Sequence, residues 1–399
     1  GINYLEKNYK DITLSTEIPH GVTFPKIYHN GNDLIGGYTE FVEYLKPNYN
    51  YQKLKRLAKV LTYNLNKIID YNFYPIPETE RSNRRHRPIG LGVQGLANVF
   101  YEMKIPFGSE EAKEINKKIF ESIYYGSLEA SMEIAKSRGE SMKKLKLGMN
   151  QYNQVSDDFL AIETLYKLRD EMKPLEIELD REEFLGTYSS YIGSPLYYGK
   201  LQFDLWNESV DNSLHDWDTL RENIKLYGVR NSLLVAPMPT ASTSQILGNY
   251  ECIEPIISNI YSRRVLAGEF MVVNEYLVND LILLGKWNPE IKDKIITNDG
   301  SVQGISEIPK FIQERYKTAW ETKQKDILDM AADRGKFICQ SQSLNLFVES
   351  PNFKILSSMH FYGWKRGLKT GMYYLRTRPS SKALQFTVEP EKVCESCSA

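Results

Sequence analysis

The sequence predicts an α/β fold, because strand and helix signals alternate along the chain. An apolar run over residues 233–236 stops at a turn-forming segment, which is typical of a buried strand. Apolar residues three or four apart in Tyr51–Asp70 are typical of an amphipathic helix. Near the end, a helical pattern over Met359–Leu368 is followed by a strand pattern over Met372–Leu375. Such alternation favours a parallel sheet enclosed by helices.

Length and composition indicate a globular, enzyme-like chain. It has 399 residues, of which 42% are hydrophobic and 25% are charged, with a formal net charge of -1. This balance argues against bulk disorder and against nucleic acid as a partner. No apolar run approaches the ~18 residues of a membrane span, so no membrane contact is expected. The four cysteines do not form a secreted disulfide framework, so we expect a reducing, cytoplasmic compartment. The first residue is Gly1, which suggests a fragment, a processed product or the second piece of a split protein.

The first long helix is predicted over Tyr51–Asp70. Its expected buried face consists of apolar residues spaced by three or four: Leu54, Leu57, Leu61, Leu65 and Ile68. Pro75 and Pro77 are expected to end this helix, and Arg81–Arg87 is expected to form a basic loop.

Three glycines follow the basic segment, at Gly90, Gly92 and Gly95. A glycine series of this kind is weak evidence for phosphate binding, because most such clusters serve turns or close packing. We interpret these three as close packing of a helix, with a ligand role as the alternative.

The next helix begins after Ser109, which can cap it. Its predicted face is formed by residues at helical spacing: Ile115, Ile119, Ile123, Ser127 and Ile134. Residues 140–183 begin lysine-rich and carry an apolar spacing of their own, at Phe159, Ile162, Leu165 and Tyr166. We interpret this segment as a helical surface excursion that serves as a partner contact or as a lineage-specific addition.

The patterns in the last third of the chain continue the alternation. Phe270–Leu284 and Ile308–Ala332 are expected to be helical, and Gly335–Phe347 to be extended. Paired arginines at Arg263 and Arg264 could offset carboxylates or phosphate charge, with structural pairing the favoured role.

The central stretch, Val235–Gln245, carries the strongest signal for a ligand. Two prolines remove two N–H donors, which leaves the amides from Thr240 onward free. Four hydroxyls add hydrogen-bonding groups, at Thr240, Ser242, Thr243 and Ser244. A helix starting near Ser244 would help to bind an anion such as phosphate. The alternative is that these residues cap a helix and bind nothing.

The wording of this stretch, NSLLVAPMPTASTSQILG over Asn231–Gly248, resembles the substrate phosphate loop of the large subunit of aerobic ribonucleotide reductase. Further stretches share the resemblance: residues 85–97, 119–131, 254–270 and 358–379. It covers residues 64–386 and corresponds to the C-terminal half of such a subunit. It implies part of a ten-stranded α/β barrel with surrounding helices and a flexible C-terminal tail. It also implies a substrate-binding loop formed by Pro239, Thr240, Ala241, Ser242 and Thr243.

The expected catalytic loop departs from the family near the start of the chain. In an extended segment, Thr13, Ser15 and Glu17 project to one face. The family presents Asn, Cys and Glu there, and the Cys becomes the thiyl radical, so Ser15 stands at the radical cysteine position and only Glu17 matches. The position at which the family carries one of its two substrate-reducing cysteines lies near Asn32 in this sequence. No cysteine precedes Cys252 in this sequence.

Two further features carry the resemblance near the C-terminus. Tyr373 and Tyr374 are expected to face opposite sides of a strand, and in the family such a pair forms the last links of a radical relay. Cys394 and Cys397 form a lone C-x-x-C motif without a second ligand pair nearby, so a zinc site is the weaker reading. A dithiol that exchanges with thioredoxin or glutaredoxin is the better one, as the family's tail implies.

The resemblance therefore predicts a finger-loop region over residues 1–45, a barrel domain over 46–386 with a helical insertion at about 140–183, and a redox tail over 387–399. The implied activity is reduction of ribonucleoside diphosphates to 2'-deoxyribonucleoside diphosphates for DNA synthesis, by radical chemistry with a small subunit. We expect no cofactor or metal in this chain, a metal-radical cofactor in the small subunit, and the effectors ATP and dATP on the N-terminal half. A separate N-terminal piece or another large subunit is a further expected partner. The alternative is a catalytically inactive homologue that acts as a binding or regulatory partner.

Overall fold

The computed structural model describes the backbone of residues 12–14, 27–29, 33–36, 48–152, 159–265 and 268–378. Side chains are described for residues 48–150, 163–263 and 268–378. Three short strands come first, β1 (Ile12–Leu14), β2 (Ile27–His29) and β3 (Asp33–Gly36), and they form an antiparallel sheet in that order. Within these described ranges, no helix is both long enough and apolar enough to cross a membrane.

Helices dominate the part of the chain that follows. The first six are α1 (Tyr51–Tyr71), α2 (Pro77–His86), α3 (Leu96–Glu102), α4 (Glu110–Tyr152), α5 (Phe159–Met172) and α6 (Glu176–Leu179). A 3-10 turn over Asp204–Trp206 precedes α7 (Trp217–Tyr227) and α8 (Thr243–Ile246). The remaining helices are α9 (Glu275–Leu283), α10 (Pro289–Thr297), α11 (Lys310–Arg315), α12 (Gln324–Gly335) and α13 (Phe353–Lys365).

The predicted helix α1 is present, and its predicted buried face is right in part, because Leu54 and Leu65 pack against the main core. Leu57, Leu61 and Ile68 are about half exposed, and the buried residues of the helix are Ala58, Thr62, Asn66 and Ile69. The polar members can be buried because they are satisfied within the helix. The Thr62 hydroxyl donates to the Ala58 carbonyl at 2.8 Å, and Asn66 Nδ2 donates to the Thr62 carbonyl at 2.9 Å. These hydrogen bonds allow Thr62 and Asn66 to be buried beside Ala58 and Ile69.

The predicted basic loop over Arg81–Arg87 is instead mostly helical, because α2 runs to His86. Pro77 does not only end the preceding segment; it occupies the first turn of α2, where its missing N–H costs nothing. Glu78 and Glu80 lie in the first turn and three basic residues in the last, which complements the helix dipole. Arg87 ends the helix with a left-handed φ of 48°.

Helix α4 connects two hydrophobic clusters. Its predicted face is confirmed at Ile115, Ile119, Ile123 and Ser127, which are buried in the main core. The helix then continues without a break into the expected excursion, where Met142 and Leu145 pack with Leu185 in a second cluster. Residues 140–152 are thus a prolongation of a core helix, and α5 packs back on them through Leu165.

The α/β class is confirmed, although the described strands do not close into a barrel. Strands β4 (Ile260–Val265) and β5 (Gly268–Val273) form an antiparallel pair. Strands β6 (Asn345–Phe347) and β7 (Tyr374–Arg376) form a parallel pair. The expectation of a helix over Phe270–Leu284 is wrong in its first part. Phe270–Val273 pairs with β4, as its β-branched end favours, and α9 begins only at Glu275.

Two other boundaries differ from those predicted. The helix expected over Ile308–Ala332 is divided into α11 and α12. Between them, the Ala319 N–H donates to the Ile256 carbonyl at 2.7 Å and not to a helical carbonyl. Helix α13 begins earlier than predicted, at Phe353, because the Asn352 side chain accepts a hydrogen bond from the Ile355 N–H at 3.0 Å.

Candidate functional site

The apolar start of the central stretch lies against the segment that precedes α3. The N–H groups of Ile89 and Leu91 donate to the carbonyls of Leu233 and Leu234 at 3.1 and 2.7 Å, and Leu91 and Val235 form a parallel bridge. Leu234 and Val235 are buried. The predicted buried strand is therefore reduced to one isolated β-bridge. This bridge holds the chain in place just before the turn.

The glycines upstream allow this close approach. A Cβ on Gly92 would lie 3.0 Å from the Pro237 Cα and 3.1 Å from the Met238 nitrogen, both backbone atoms that cannot move aside. Gly90 faces Ala236 across the same contact, and Gly95 has φ of 78° at the start of α3. Close packing is confirmed, but Gly90 and Gly92 pack against the central stretch rather than another helix, and Gly95 packs against Asn98 and Asn249. A ligand role for the glycines remains only a prediction.

Cys339 supports the central stretch in a way the sequence did not signal. Its Sγ accepts the N–H groups of Leu234 and Val235 at 3.0 and 3.2 Å. Burial raises the pKa of this thiol, although the two backbone donors act in the opposite direction. Cys339 is thus a protonated thiol whose sulfur accepts two backbone hydrogen bonds. A lone cysteine in the sequence does not reveal this role.

The turn itself is built around Thr240, whose φ of 55° is unusual for a β-branched residue. Its Oγ1 accepts from the Cys252 N–H at 2.9 Å, and its carbonyl accepts from the Ser244 N–H at 3.0 Å. The Thr240 hydroxyl is therefore engaged in holding the turn. The expected helix near Ser244 is present as the four-residue α8.

The predicted loop hydroxyls divide into two kinds. Ser242 and Thr243 are exposed together with Ala241, and Ser242 makes no side-chain cap bond to α8. Ser244 is fully buried, and its hydroxyl has no hydrogen-bond partner. The exposed hydroxyls and the Pro239 turn are thus brought together as predicted, whereas Ser244 points into the protein.

A cavity of about 350 Å³ lies beside this loop. Its wall includes the apolar side chains of Pro255, Ile256 and Ile257. Polar and aromatic residues from the loop helix, from residues 250–258 and from β4 complete it: Gln245, Tyr250, Glu251, Glu254, Tyr261 and Arg263. Arg263 of the predicted arginine pair thus borders the cavity. Within the described ranges, no group of three acidic, histidine or cysteine side chains could hold a metal ion.

Glu254 is the buried carboxyl of this wall. It is 8% exposed, and Asn345 Nδ2 donates to its Oε1 at 2.5 Å. Burial raises the pKa of Glu254 to about 7, and the charge of Glu251 adds to that rise. Sequence reasoning missed Asn345, although a polar residue inside the apolar run of β6 is a signal for a buried partner.

Tyr373 and Tyr374 do not face opposite sides as predicted. Their ring centroids are 4.2 Å apart with an interplanar angle of 61°, and each side chain is 49% exposed. The expectation failed because β7 begins at Tyr374, so Tyr373 precedes the strand and does not follow its alternation. Hydrogen bonding to Tyr374 raises the pKa of Tyr373. The two phenols therefore lie in one environment near the surface.

An apolar groove of about 660 Å³ lies along α13. Its lining includes the exposed aromatic side chains of α13, Phe353, Phe361 and Trp364, of which Trp364 is 70% exposed. Gly371 closes its end two residues before Tyr373, and a Cβ at Gly371 would lie 2.5 Å from His360 Nδ1. The groove thus comes within two residues of the pair along the chain.

Several predicted site residues lie outside the described residues: Ser15, Glu17, Asn32, Cys394 and Cys397. Only the backbone of Thr13 is described, and it pairs with Tyr28 in the first sheet. The finger loop and the redox tail therefore remain predictions.

Comparison with known proteins gives one consistent family. The family described as ribonucleotide reductase, barrel domain, matches residues 38–374. The chain is similar to the ribonucleoside-diphosphate reductase large chain of Cryptosporidium parvum, with 48% identity over 89% of this chain and 38% of that one. It is also similar to the large chain of Schizosaccharomyces pombe, with 51% identity over 86% of this chain and 36% of that one.

A solved structure shares the fold. The Actinobacillus ureae class Id ribonucleotide reductase alpha subunit aligns with a TM-score of 0.56 and 24% identity, over 82% of this chain and 48% of that one. The chain spans 36–38% of the length of the two relatives named above.

Proposed function

The chain belongs to the ribonucleotide reductase large-subunit family, and we propose that it contributes the substrate phosphate loop and the radical relay of a ribonucleoside-diphosphate reductase. The reaction reduces ribonucleoside diphosphates to 2'-deoxyribonucleoside diphosphates. The observation that carries the proposal is the turn at Thr240, which exposes Ala241, Ser242 and Thr243 just before Gln245, a residue of the cavity wall. In the full assembly we assign the chain to part of a ten-stranded α/β barrel in the cytoplasm.

The loop is suited to a diphosphate because several of its hydrogen-bond donors are available to a ligand. The N–H groups of Ala241 and Ser242 make no backbone hydrogen bond, and the exposed hydroxyls lie directly after them. Charge-assisted hydrogen bonds to phosphate contribute more than neutral ones, roughly 1.5–3 kcal/mol each. Pro239 and the Thr240–Cys252 hydrogen bond fix the turn before any ligand arrives, which lowers the entropic cost of binding.

The experiment is a calorimetric titration of the protein with CDP and ADP. The double variant Ser242→Ala/Thr243→Ala is expected to weaken binding about tenfold or more, since two phosphate donors are lost. The matched control is Ser244→Ala, because that hydroxyl is buried and does not reach the loop surface. Equal affinity in the double variant, or an equal loss in the control, would remove the loop from the binding site.

The small subunit is the proposed partner, and the α13 groove is its proposed docking surface. Three exposed aromatic side chains on one groove are unusual for a surface without a partner. Gly371 of the groove precedes the tyrosine pair by two residues in the chain, and the pair must be close to the small subunit if it relays a radical. Trp364→Ser is expected to weaken binding of the small subunit from the same source by tenfold or more, as loss of a central aromatic anchor does. Phe73→Ser is the control, since Phe73 is 83% exposed on a different part of the chain.

Cofactors and redox partners follow the same proposal. The small subunit would supply the metal-radical cofactor, and ATP and dATP would act on the part of the enzyme that this chain does not include. Cys394 and Cys397 would exchange electrons with thioredoxin or glutaredoxin. Stoichiometric zinc on those two sulfurs would contradict the redox role.

A second candidate function is a catalytically inactive homologue that binds or regulates a partner. It is favoured by Ser15 at the radical cysteine position and by the absence of cysteine before Cys252. We expect no deoxynucleotide formation with small subunit and reductant supplied, and no rescue by Ser15→Cys alone. Turnover of about one per second or more by the unmodified chain would show that the radical residue lies elsewhere.

A further inference from the structure

The backbone of the tyrosine pair is held by two successive residues of the β6 segment. The Tyr373 N–H donates to the Leu344 carbonyl at 2.6 Å. The Tyr374 N–H donates to the side-chain Oδ1 of Asn345 at 3.1 Å, although β6 and β7 are paired strands. Asn345 is 3% exposed, so this side chain replaces a backbone acceptor in a buried position. Its orientation therefore sets where Tyr374 lies.

The orientation of the Asn345 amide is fixed by its two partners. Because a backbone N–H can only donate, the oxygen of the amide must face Tyr374. The nitrogen then faces Glu254, where it donates to Oε1 at 2.5 Å. A carboxylate is the strongest acceptor for this donor, and a protonated carboxyl is a weaker one. The chain of contacts thus runs from the cavity wall through one amide to the tyrosine backbone.

We propose that Asn345 and Glu254 are positioning residues for the Tyr373–Tyr374 pair, and that the protonation state of Glu254 sets how firmly Asn345 holds Tyr374. The proposal rests on the relay assigned to the pair above. It adds a control point: the tyrosine geometry responds to a proton at the cavity beside the phosphate loop. Glu254 acts through Asn345 and need not touch a substrate.

Burial and the charges around Glu254 place its pKa near neutral pH. Burial is the main cause that raises its pKa to about 7, and Glu251 adds to it. Arg376 from β7, the Asn345 hydrogen bond and Arg334 from α12 act in the opposite direction. The Arg376 guanidinium also lies 5.0 Å from the Tyr374 ring centroid, so it faces the tyrosine as well as the carboxyl. The His360 ring lies beside Gly371, two residues before Tyr373.

The test places a silent reporter at the tyrosine. The full chain is prepared with 4-fluorophenylalanine at position 374, which carries no ionisable hydroxyl, and its fluorine NMR shift is followed from pH 5 to 9. We expect a single titration with a midpoint near pH 7, as set by Glu254. Glu254→Gln, which keeps the shape of the side chain, should abolish it. Asn345→Ala should reduce its amplitude severalfold, because the link to Tyr374 is cut.

Two controls separate Glu254 from its neighbours. Glu251→Gln should keep the titration and move its midpoint to lower pH, because the Glu251 charge raises the Glu254 pKa. His360→Gln should leave the titration unchanged. A pH-dependent change of the fluorine shift that survives Glu254→Gln, or that disappears in His360→Gln, would overturn the proposal. A fluorine shift that does not change with pH in the labelled protein without further substitutions would overturn it as well. Circular dichroism melting curves confirm that each variant is folded.

Failure of the positioning role is distinct from failure of the proposed function. If the fluorine titration is present but neither CDP nor the small subunit binds, Glu254 and Asn345 do position the tyrosine pair, and the relay assignment is wrong. If both bind and the fluorine shift does not titrate, the relay assignment stands and Glu254 has no part in it.

Discussion

Arg315 and Asp280 form a buried ion pair in which Nη1 lies 2.6 Å from Oδ2, with side-chain exposures of 6% and 1%. Lys104 and the Tyr316 hydroxyl also donate to this carboxylate, each at 2.7 Å. Asp280→Asn would leave buried cations without a counter-charge, so we expect the free energy of unfolding to fall by about 3–5 kcal/mol. Urea denaturation measures this directly.

The control for this prediction is an exposed pair. Glu290→Gln removes one of the two carboxylate partners of Lys294 on α10, where Glu290 is 72% exposed and Glu307 remains paired. We expect a change within about 0.5 kcal/mol, as for most surface ion pairs. Equal effects of the two substitutions would show that the Asp280 cluster is not buried in solution.

The second prediction compares two buried serines. The Ser244 hydroxyl has no partner, so Ser244→Ala should be neutral or should stabilise the protein by up to about 1 kcal/mol. Ser131 accepts from the Asn231 N–H and donates to its Oδ1, each at 2.9 Å. Ser131→Ala should therefore cost about 1–3 kcal/mol. Thermal melting of both variants measures the difference, and a loss in Ser244→Ala would mean that its hydroxyl has a partner after all.

The third prediction compares two glycines inside α4. A Cβ on Gly126 would lie 2.3 Å from the Lys55 carbonyl oxygen of α1, so Gly126→Ala should push the helices apart and cost about 1–3 kcal/mol. A Cβ on Gly139 would have its nearest neighbour at 3.5 Å. Gly139→Ala should therefore stabilise the helix by about 0.5–1 kcal/mol. Denaturant midpoints that move in the same direction would contradict the packing of α1 on α4.

The fourth prediction concerns His215, which is 5% exposed and lies 2.9 Å from the Ser122 hydroxyl. Burial lowers the pKa of His215 from 6.5 to about 4, and Lys55 adds to the effect. Between these values the unfolded state binds a proton that the folded state excludes, so stability rises with pH across this window. At about 1.4 kcal/mol per unit, the loss from pH 6.5 to pH 4 approaches roughly 3 kcal/mol. His215→Gln should flatten this slope in denaturation curves recorded at several pH values; an unchanged slope would assign it to another group.

The fifth prediction has the opposite sign. The pKa of Glu254 is raised from 4.5 to about 7, so the folded state keeps a proton that the unfolded state releases. Stability from this group is fully present below pH 4.5 and is lost as pH rises through 7, by roughly 3 kcal/mol. Compared with Glu254→Gln, the unsubstituted protein should therefore lose stability between pH 4.5 and 7. A gain over that interval would mean that the carboxyl is ionised and paired in the fold.

Patterns set by local spacing were predicted well from the sequence. Helix α4 was recognised because Ile115, Ile119 and Ile123 repeat with the helix, and all three are buried. The turn at Thr240 was recognised because two prolines and a run of small residues cannot continue a strand. These features depend only on residues that are close in the chain.

Features decided by distant partners could not be predicted. Asn66 is buried in α1 because it exchanges hydrogen bonds with Asn231, which lies 165 residues away, and no spacing rule contains that fact. Cys339 Sγ and the Asn345 amide likewise have roles that are defined by backbone N–H groups far along the sequence. The tyrosine pair was placed wrongly because the start of β7 depends on its pairing with β6.

The continuity of α4 ties the direction of the excursion to the register of the core. With 3.6 residues per turn, inserting or deleting one residue near Gly139 would rotate everything beyond it by about 100°. Met142 and Leu145 would then turn away from Leu185 while Ile115 and Ile119 kept their places. Changes of length in this region are therefore tolerated only in steps of three, four or seven residues. The helix thus limits which insertions and deletions the excursion can accept.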